Sequence, residues 1–307
     1  MLNMESQDTP DVIVLLNAQA GSGHTPPDAE ALRAAFARHG KRADVLACTS
    51  QHPLDARLRE AVAARPGVLV AAGGDGTVNA VAAAALAHDL PLGVLPVGTL
   101  NHFARSLGVP LELEQAVAVI AARRLRAIDV GEVNGDVFVN NASIGLYPQL
   151  VAEREYEQHH LARGKWNAML HAAWRVLRHP GAYEVVLELD GREERRRTPA
   201  VFVGNNSYVL EGPRMGHRAR LDDGVLGVVV LRPRSMLGWL WLALRALVGR
   251  LSPRDVEQHD VAAFCLDAHN GELPVARDGE AHPLQPPLRF ATRPRALRVC
   301  APDTEDA

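Results

Sequence analysis

The chemically capable residues of this chain lie in short polar loops and in two acidic clusters. Gly73-Gly74-Asp75-Gly76-Thr77 follows the apolar run Gly67–Ala72 and leads into an alanine-rich segment, Val78–Ala87. Glycines let the backbone approach an anion closely, and a helix N-terminus offers free N–H groups and a positive dipole end. A phosphate is the natural guest, with the Thr77 hydroxyl and the Asn79 amide as further donors. Asp75 repels phosphate, so it fits better beside a bound Mg²⁺ or as an orienting group. Taken alone, these residues also fit a tight turn with Asp75 as N-cap. Two further loops favour a nucleotide site: Pro96-Val97-Gly98-Thr99-Leu100-Asn101 follows the next apolar run, and Asn17–Gly23 follows the first. Donor-rich loops gathered at the carboxyl ends of parallel strands form one crevice. Late in the chain, Asp278-Gly279-Glu280 sets two carboxylates about a glycine. It is the best candidate for acid–base work. Asp-Gly is also a strong hairpin signal, and by spacing alone the turn is the stronger reading.

The elements that must position these loops change character along the chain. Strand signals at Asp11–Asn17, Arg42–Cys48, Gly67–Ala72 and Leu92–Pro96 alternate with helical spacing over Pro27–His39, Leu54–Ala64 and Val78–Ala87. That alternation predicts βαβ units and a parallel sheet buried on both faces. From Asp129 the strand signals lose their regular helices: Val137–Asn140, Glu184–Asp190, Ala200–Gly204, Val225–Leu231, Val261–Leu266 and Leu273–Ala276. Two helical insertions, Gln149–His179 and Met236–Arg250, interrupt them. Gly191–Arg197 reads as a charged, solvated hairpin end. The expectation is an α/β domain over 1–128 and a β-rich domain over 129–287, with a last strand within 288–300 that belongs to either.

Composition narrows the function. The chain has 307 residues and a net charge of −3, an ordinary apolar content and few aromatics. Length suggests two domains, and the charge balance and scarce aromatics argue against nucleic-acid binding. Only Lys41 and Lys165 are lysines, and neither sits in the Gly-Lys-Ser/Thr end of a P-loop. Any phosphate is therefore held without that lysine, and Schiff-base chemistry is disfavoured. Cys48, Cys265 and Cys300 form no Cys-x-x-Cys pair, which speaks against zinc and disulfides and for a reducing cytoplasm. The acidic start, Met1–Asp11, is not expected to be a signal peptide, and no run approaches the length of a membrane span.

Gly73-Gly74-Asp75-Gly76-Thr77 with Asn79, followed by Pro96-x-Gly98-Thr99-x-Asn101-x-x-Ala104, resembles the diacylglycerol kinase catalytic domain. The match extends to the bacterial soluble lipid kinases related to sphingosine and ceramide kinases. The resemblance continues through Asn141-Ala-Ser-Ile-Gly145, Leu221-Asp222-Asp223-Gly224-Val225-Leu226 and Asp278-Gly279-Glu280, and so spans nearly the whole chain. It implies an α/β nucleotide-binding domain, a β-sandwich-like domain and an active site in the cleft between them. It implies ATP- and Mg²⁺-dependent phosphorylation of a lipid hydroxyl, most simply a diacylglycerol. Carried over by position, Asn17, Thr49, Gly73, Gly74, Asp75, Gly76, Thr77, Asn79, Gly98, Thr99 and Asn101 hold the nucleotide. Asp75 faces the metal–phosphate network, Glu280 is the catalytic base and Asp278 its partner. The carbonyls of Arg220 and Val225 and the carboxylate of Asp223 match a structural metal loop, suited to a hard cation; the alternative is an ordinary turn. Asp129 matches an acidic position of the charge network. His102 departs from the aspartate usual after Asn101, which removes one carboxylate unless His102 only caps the helix. The loop after Asn17 also lacks the proline usual there.

Trp239 and Trp241, on a short apolar helix bracketed by Arg234 and Arg245, suit a membrane interface. Trp166 and Trp174 make a similar stripe, for which core packing is the stronger reading. A lipid substrate and a cytoplasmic site, peripheral at the inner membrane face, follow as expectations. Two other functions compete: a NAD kinase, which shares the Asp-containing glycine loop, and a nucleotide or lipid sensor without catalysis. Asp223 and Asp278-Gly279-Glu280 favour the lipid kinase over the first. Asp75 and Glu280 oppose the second.

Overall fold

The computed structural model describes residues 10–17, 27–145, 148, 183–189, 191–208, 218, 220–232, 256–268 and 273–302. The tryptophans Trp166, Trp174, Trp239 and Trp241, and the helical insertions read over Gln149–His179 and Met236–Arg250, lie outside the described residues. The chain forms two compact units. One comprises Met1–Ile128 with Arg295–Ala307, the other Asp129–Pro294.

In the first unit the apolar runs become strands β1 (Val12–Leu16), β2 (Ala43–Ala47), β3 (Val68–Ala72) and β4 (Leu92–Leu95). β1, β3 and β4 are buried along their whole length, as strands covered on both faces must be. They pair in parallel in the order β2-β1-β3-β4. The end of the long strand β16 (Leu288–Cys300) adds beside β4 through Val299 opposite Leu92. Helices α1 (Ala29–Arg38), α2 (Leu54–Ala63), α3 (Asp75–Ala87), α4 (His102–Ser106) and α5 (Leu113–Ala122) connect the strands. α1 buries Leu32, Ala35 and Phe36, the helical spacing read from the sequence. α5 carries no standard N-cap residue and was not legible as a helix. The Glu112 carboxylate caps it, accepting the N–H groups of Glu114 and Gln115.

Register decides what this sheet can do. Leu16 lies opposite both Ala47 and Ala72, and Ala72 lies opposite Leu95. The four strands therefore end in line, and the loops beginning at Asn17, Cys48, Gly73 and Pro96 all leave the same edge.

The second unit is a β-sandwich. One sheet runs β16-β13-β8-β9, with β8 (Tyr183–Leu189), β9 (Arg192–Thr198) and β13 (Ala263–Ala268). The other runs β12-β11-β10-β7-β14-β15, with β7 (Asn141–Gly145), β10 (Ala200–Asn205), β11 (Leu226–Leu231), β12 (Val256–Val261), β14 (Leu273–Arg277) and β15 (Glu280–Leu284). β5 (Leu125–Val133) enters the unit and pairs with β6 (Asp136–Phe138). Alternate residues of both sheets, among them Ile144, Val203, Val228, Val275, Leu187, Leu266 and Phe290, close one apolar core. Phe264 and Phe290 stack within it, ring centroids 4.7 Å apart.

Three sequence expectations are corrected here. Gly191–Arg197 is largely exposed, as read, but it is not a turn. Only Gly191 turns, at φ 74°, and Arg192–Thr198 is strand β9, paired with β8 over its full length. A strand at a sheet edge tolerates charge because one face and one edge meet water. Its inward Arg196 chelates Glu257 of β12 through two bonds of 3.1 Å. With Arg232 and His259 also bonded to it, Glu257 is held well below the usual carboxylate range, at about 2. Second, Val261–Leu266 is not one strand but the end of β12 and the start of β13. Third, the strand read over Val137–Asn140 ends at Phe138, because Asp278 takes the next three N–H groups.

Candidate active site

The glycine loop of the first unit is built by packing as much as by turn chemistry. α3 begins at Asp75, three residues earlier than the alanine run suggests, and its N-cap is Gly74 rather than Asp75. The first helical bond runs from Val78 N–H to Gly74 O at 3.0 Å. The N–H groups of Asp75, Gly76 and Thr77 have no carbonyl one turn behind them, so the first turn offers donors to an anion. Thr77 is buried, and its hydroxyl accepts from Asn17 Nδ2 at 3.0 Å, which ties the first loop to the third. A Cβ on Gly73 would lie 2.6 Å from Thr77 Oγ1. A Cβ on Gly98 would lie 2.9 Å from Gly74 Cα and 3.0 Å from Gly73 O. Gly98 is needed where the two loops touch backbone to backbone, and Gly73 where the Thr77 side chain packs against it.

Other residues of this edge serve the loops themselves. Asn101 is left-handed (φ 52°) and is the N-cap of α4, so His102 opens that helix and does not cap it. The Asn101 side chain accepts Gly98 N–H at 3.0 Å and donates to Gly98 O and Pro96 O, closing the Gly-Thr loop on itself. The Thr49 hydroxyl accepts His52 N–H at 3.1 Å. Thr99 and Leu100 face solvent, and Asn79 keeps a buried Oδ1 with no protein donor.

In the second unit, Asp278-Gly279 is a two-residue hairpin between β14 and β15, with φ values of 47° and 91°. Two positive φ angles are what a tight primed turn demands, and Asp-Gly supplies them. The turn has a second function. The buried Asp278 carboxylate accepts the N–H groups of Val139, Asn140 and Asn141 at 2.8–2.9 Å, and its own N–H donates to Asn141 O. Burial pushes the Asp278 carboxyl up to about 6, against the opposing pull of these three amides and of Arg218. Glu280 follows at the first position of β15, opposite Arg277, and is exposed.

Asp129 is fully buried and organises the acidic loop. Its Oδ2 accepts Gly224 N–H at 2.6 Å and Asn206 Nδ2 at 2.7 Å, and its N–H donates to Leu221 O. Asn206 N–H in turn donates to Val225 O at 3.0 Å. The donor set suits a hard cation: two carbonyls, of Arg220 and Val225, and the half-exposed Asp223 carboxylate. The Arg220 guanidinium bridges Asp222 and Asp223 at 3.2 and 2.9 Å and would have to yield one carboxylate to a metal. Asn205, Asn206, Tyr208 and Arg218, which sequence reasoning did not single out, complete the surroundings. The paired asparagines were the only signal for them.

An aligned-loop α/β unit followed by a β-sandwich is a two-part architecture with close relatives. The diacylglycerol kinase catalytic domain family matches residues 11–133, and the YegS C-terminal NAD kinase beta sandwich-like domain matches residues 148–301. A probable lipid kinase YegS-like protein of Pseudomonas aeruginosa is 35% identical, over 95% of this chain and 94% of the relative. The diacylglycerol kinase of Bacillus subtilis is 30% identical over 59% of this chain and 60% of its own length. The crystal structure of a putative diacylglycerol kinase from Bacillus anthracis has the same fold, with a TM-score of 0.73 at 21% identity and 98% coverage of both chains. The chain belongs to the YegS-like branch of the diacylglycerol kinase catalytic domain family, and it is a kinase. Among the described residues no helix is long and apolar enough to cross a membrane.

Proposed function

We propose that this kinase transfers the γ-phosphate of ATP to the hydroxyl of a diacylglycerol-like lipid, with Mg²⁺. The observation that carries this reading is the strand register, which brings the loops at Asn17, Thr49, Gly73–Thr77 and Gly98–Asn101 to one edge. Backbone N–H groups at the start of α3 and the Thr77 and Thr99 hydroxyls take the phosphates, so no P-loop lysine is needed. Asp75 faces the metal, and the carbonyls of Arg220 and Val225 with Asp223 hold the cation of the acidic loop. When bound, Mg²⁺ neutralises charge on the phosphate oxygens. Glu280 accepts the proton of the lipid hydroxyl. Asp278, its carboxylate committed to three amides, holds the turn from which Glu280 projects. The relatives are named lipid and diacylglycerol kinases, which favours the lipid reading over a NAD kinase, whose likeness lies in the sandwich-like fold of the second domain. Trp239 and Trp241 meet the membrane that presents the lipid.

Pure protein with Mg²⁺, labelled ATP and a total lipid extract tests the reading. Label in one lipid product supports it. Label in NADP when NAD is supplied, or in nothing, overturns it. Liposome flotation of a Trp239→Ser, Trp241→Ser variant tests the membrane contact, and undiminished binding rejects it.

A further inference from the structure

Beside the Asp278 turn lies the guanidinium of Arg218, whose charge interacts with the Asp278 carboxylate. Arg218 Nη1 donates to Val139 O at 2.7 Å and to Asn205 O at 3.3 Å, and Nη2 donates to Asn140 Oδ1 at 2.9 Å. The segment Val139–Asn141 is thus gripped from two sides. Its N–H groups point into the Asp278 carboxylate, and a carbonyl and a side-chain oxygen point into Arg218. Neither grip belongs to a sheet ladder; each depends on a buried charge. The segment runs directly into β7, and β7 pairs with β14, the strand that ends in the turn. Asn205 extends the network, since its Nδ2 donates both to Val139 O and to Asp129 O.

We infer that Arg218 is a positioning residue for Glu280: by clamping Val139–Asn141 against the Asp278 carboxylate, it sets where the Asp278-Gly279-Glu280 turn holds the proton acceptor. The inference rests on the reading of Glu280 as that acceptor. Three acceptors in different directions need a planar fork, which arginine supplies and the single ammonium of lysine does not. Removing the fork takes a charged donor from the buried Asn140 side chain, leaves Val139 O with Asn205 Nδ2 alone, and strips the Asp278 carboxylate of an opposing charge. A carboxylate displaced by a fraction of an ångström from a reacting hydroxyl loses rate without losing nucleotide.

The test is a mutant cycle on the full chain, with amide exchange alongside it. Arg218→Met should lower kcat for lipid phosphorylation between about 10- and 100-fold, with the KM for ATP within about twofold of wild type. Arg218→Lys, which keeps the charge, should recover part of that loss. Combined with Glu280→Gln, Arg218→Met should add nothing to the loss from Glu280→Gln alone. Multiplying losses, an unchanged kcat, or a raised KM for ATP at unchanged kcat would overturn the inference. Should Arg218→Met not fold, Arg218→Lys in the same cycle decides by the same criteria. Wild-type turnover in Glu280→Gln would instead remove Glu280 from the mechanism. The clamp itself is then read by hydrogen exchange at Val139, Asn140 and Asn141: faster exchange in the Arg218 variants retains it, and unchanged exchange rejects it.

Discussion

The two units solve the same problem, holding polar groups in place, by different physics. In the α/β unit the groups are placed by register. Four parallel strands end in line, so the loops that follow all leave one edge. Close backbone contact at Gly73, Gly74 and Gly98 and the self-closing Asn101 side chain complete the arrangement without a buried charge. In the sandwich the strands run antiparallel, so successive loops leave opposite ends. There the polar segments are pinned by buried carboxylates, Asp278 on Val139–Asn141 and Asp129 on Gly224 and Asn206. A parallel sheet aligns its loops as a consequence of its topology. This antiparallel sandwich uses buried carboxylates for that purpose, and Asp278 brings pH sensitivity with it.

Four measurements break or sharpen this contrast. The largest effect is expected at Glu280. Glu280→Gln should reduce lipid phosphorylation by about 10²–10⁴-fold, the usual worth of a general base, while ATP binding by calorimetry stays intact. Next is Gly98→Val, which pushes side-chain atoms into Gly74 Cα and Gly73 O. It should cost about 1–3 kcal/mol of stability by denaturant titration and weaken ATP binding by about tenfold or more, as the phosphate loop shifts. An unchanged ATP affinity would show that backbone contact between the two loops is dispensable.

The third concerns pH. The Asp278 carboxyl is raised to about 6 in the fold, above its ordinary 3.8. The folded state therefore binds this proton more tightly than the unfolded chain does. The group's contribution to stability is full below the ordinary carboxylate range and is lost as pH rises through about 6. The clamp has the opposite need, since three N–H groups require an ionised acceptor facing Arg218 and Tyr208. Turnover should thus fall as pH drops below about 6, while this group's effect on Tm moves the other way. Asp278→Asn should abolish that acid limb and, by turning an amide donor toward three N–H groups, destabilise by about 1–3 kcal/mol. The smallest effect is expected from Asn17→Ala, which removes one part-buried bond to Thr77. A few-fold rise in the KM for ATP is expected, at about 0.5–1.5 kcal/mol for such a bond.

Much of this was legible from local sequence. The apolar runs of β1, β3 and β4 and the Leu32, Ala35, Phe36 stripe of α1 marked their elements, because burial on both faces or on one helical face leaves a periodic trace. The glycine loops announced themselves by composition, and Asp278-Gly279 by its turn chemistry. β9 was hidden because seven charged and polar residues carry no apolar alternation, and its strand character comes from pairing with β8. α5 was hidden because a glutamate caps it.

By itself, then, the sequence determined most of the α/β unit's elements, the loops able to hold phosphate and the family, since each depends on residue type, spacing or order along the chain. Only the tertiary structure decided that Asn101 closes its own loop and that Gly98 leans on Gly73 and Gly74. It alone brought Asp278 onto Val139–Asn141, with Arg218 bonded to the same segment. Those pairings join residues more than 130 positions apart in the case of Asp278. Nothing in the local physics of either stretch encodes them; they follow from the ladder between β7 and β14 and from the requirement that every buried charge find its partners.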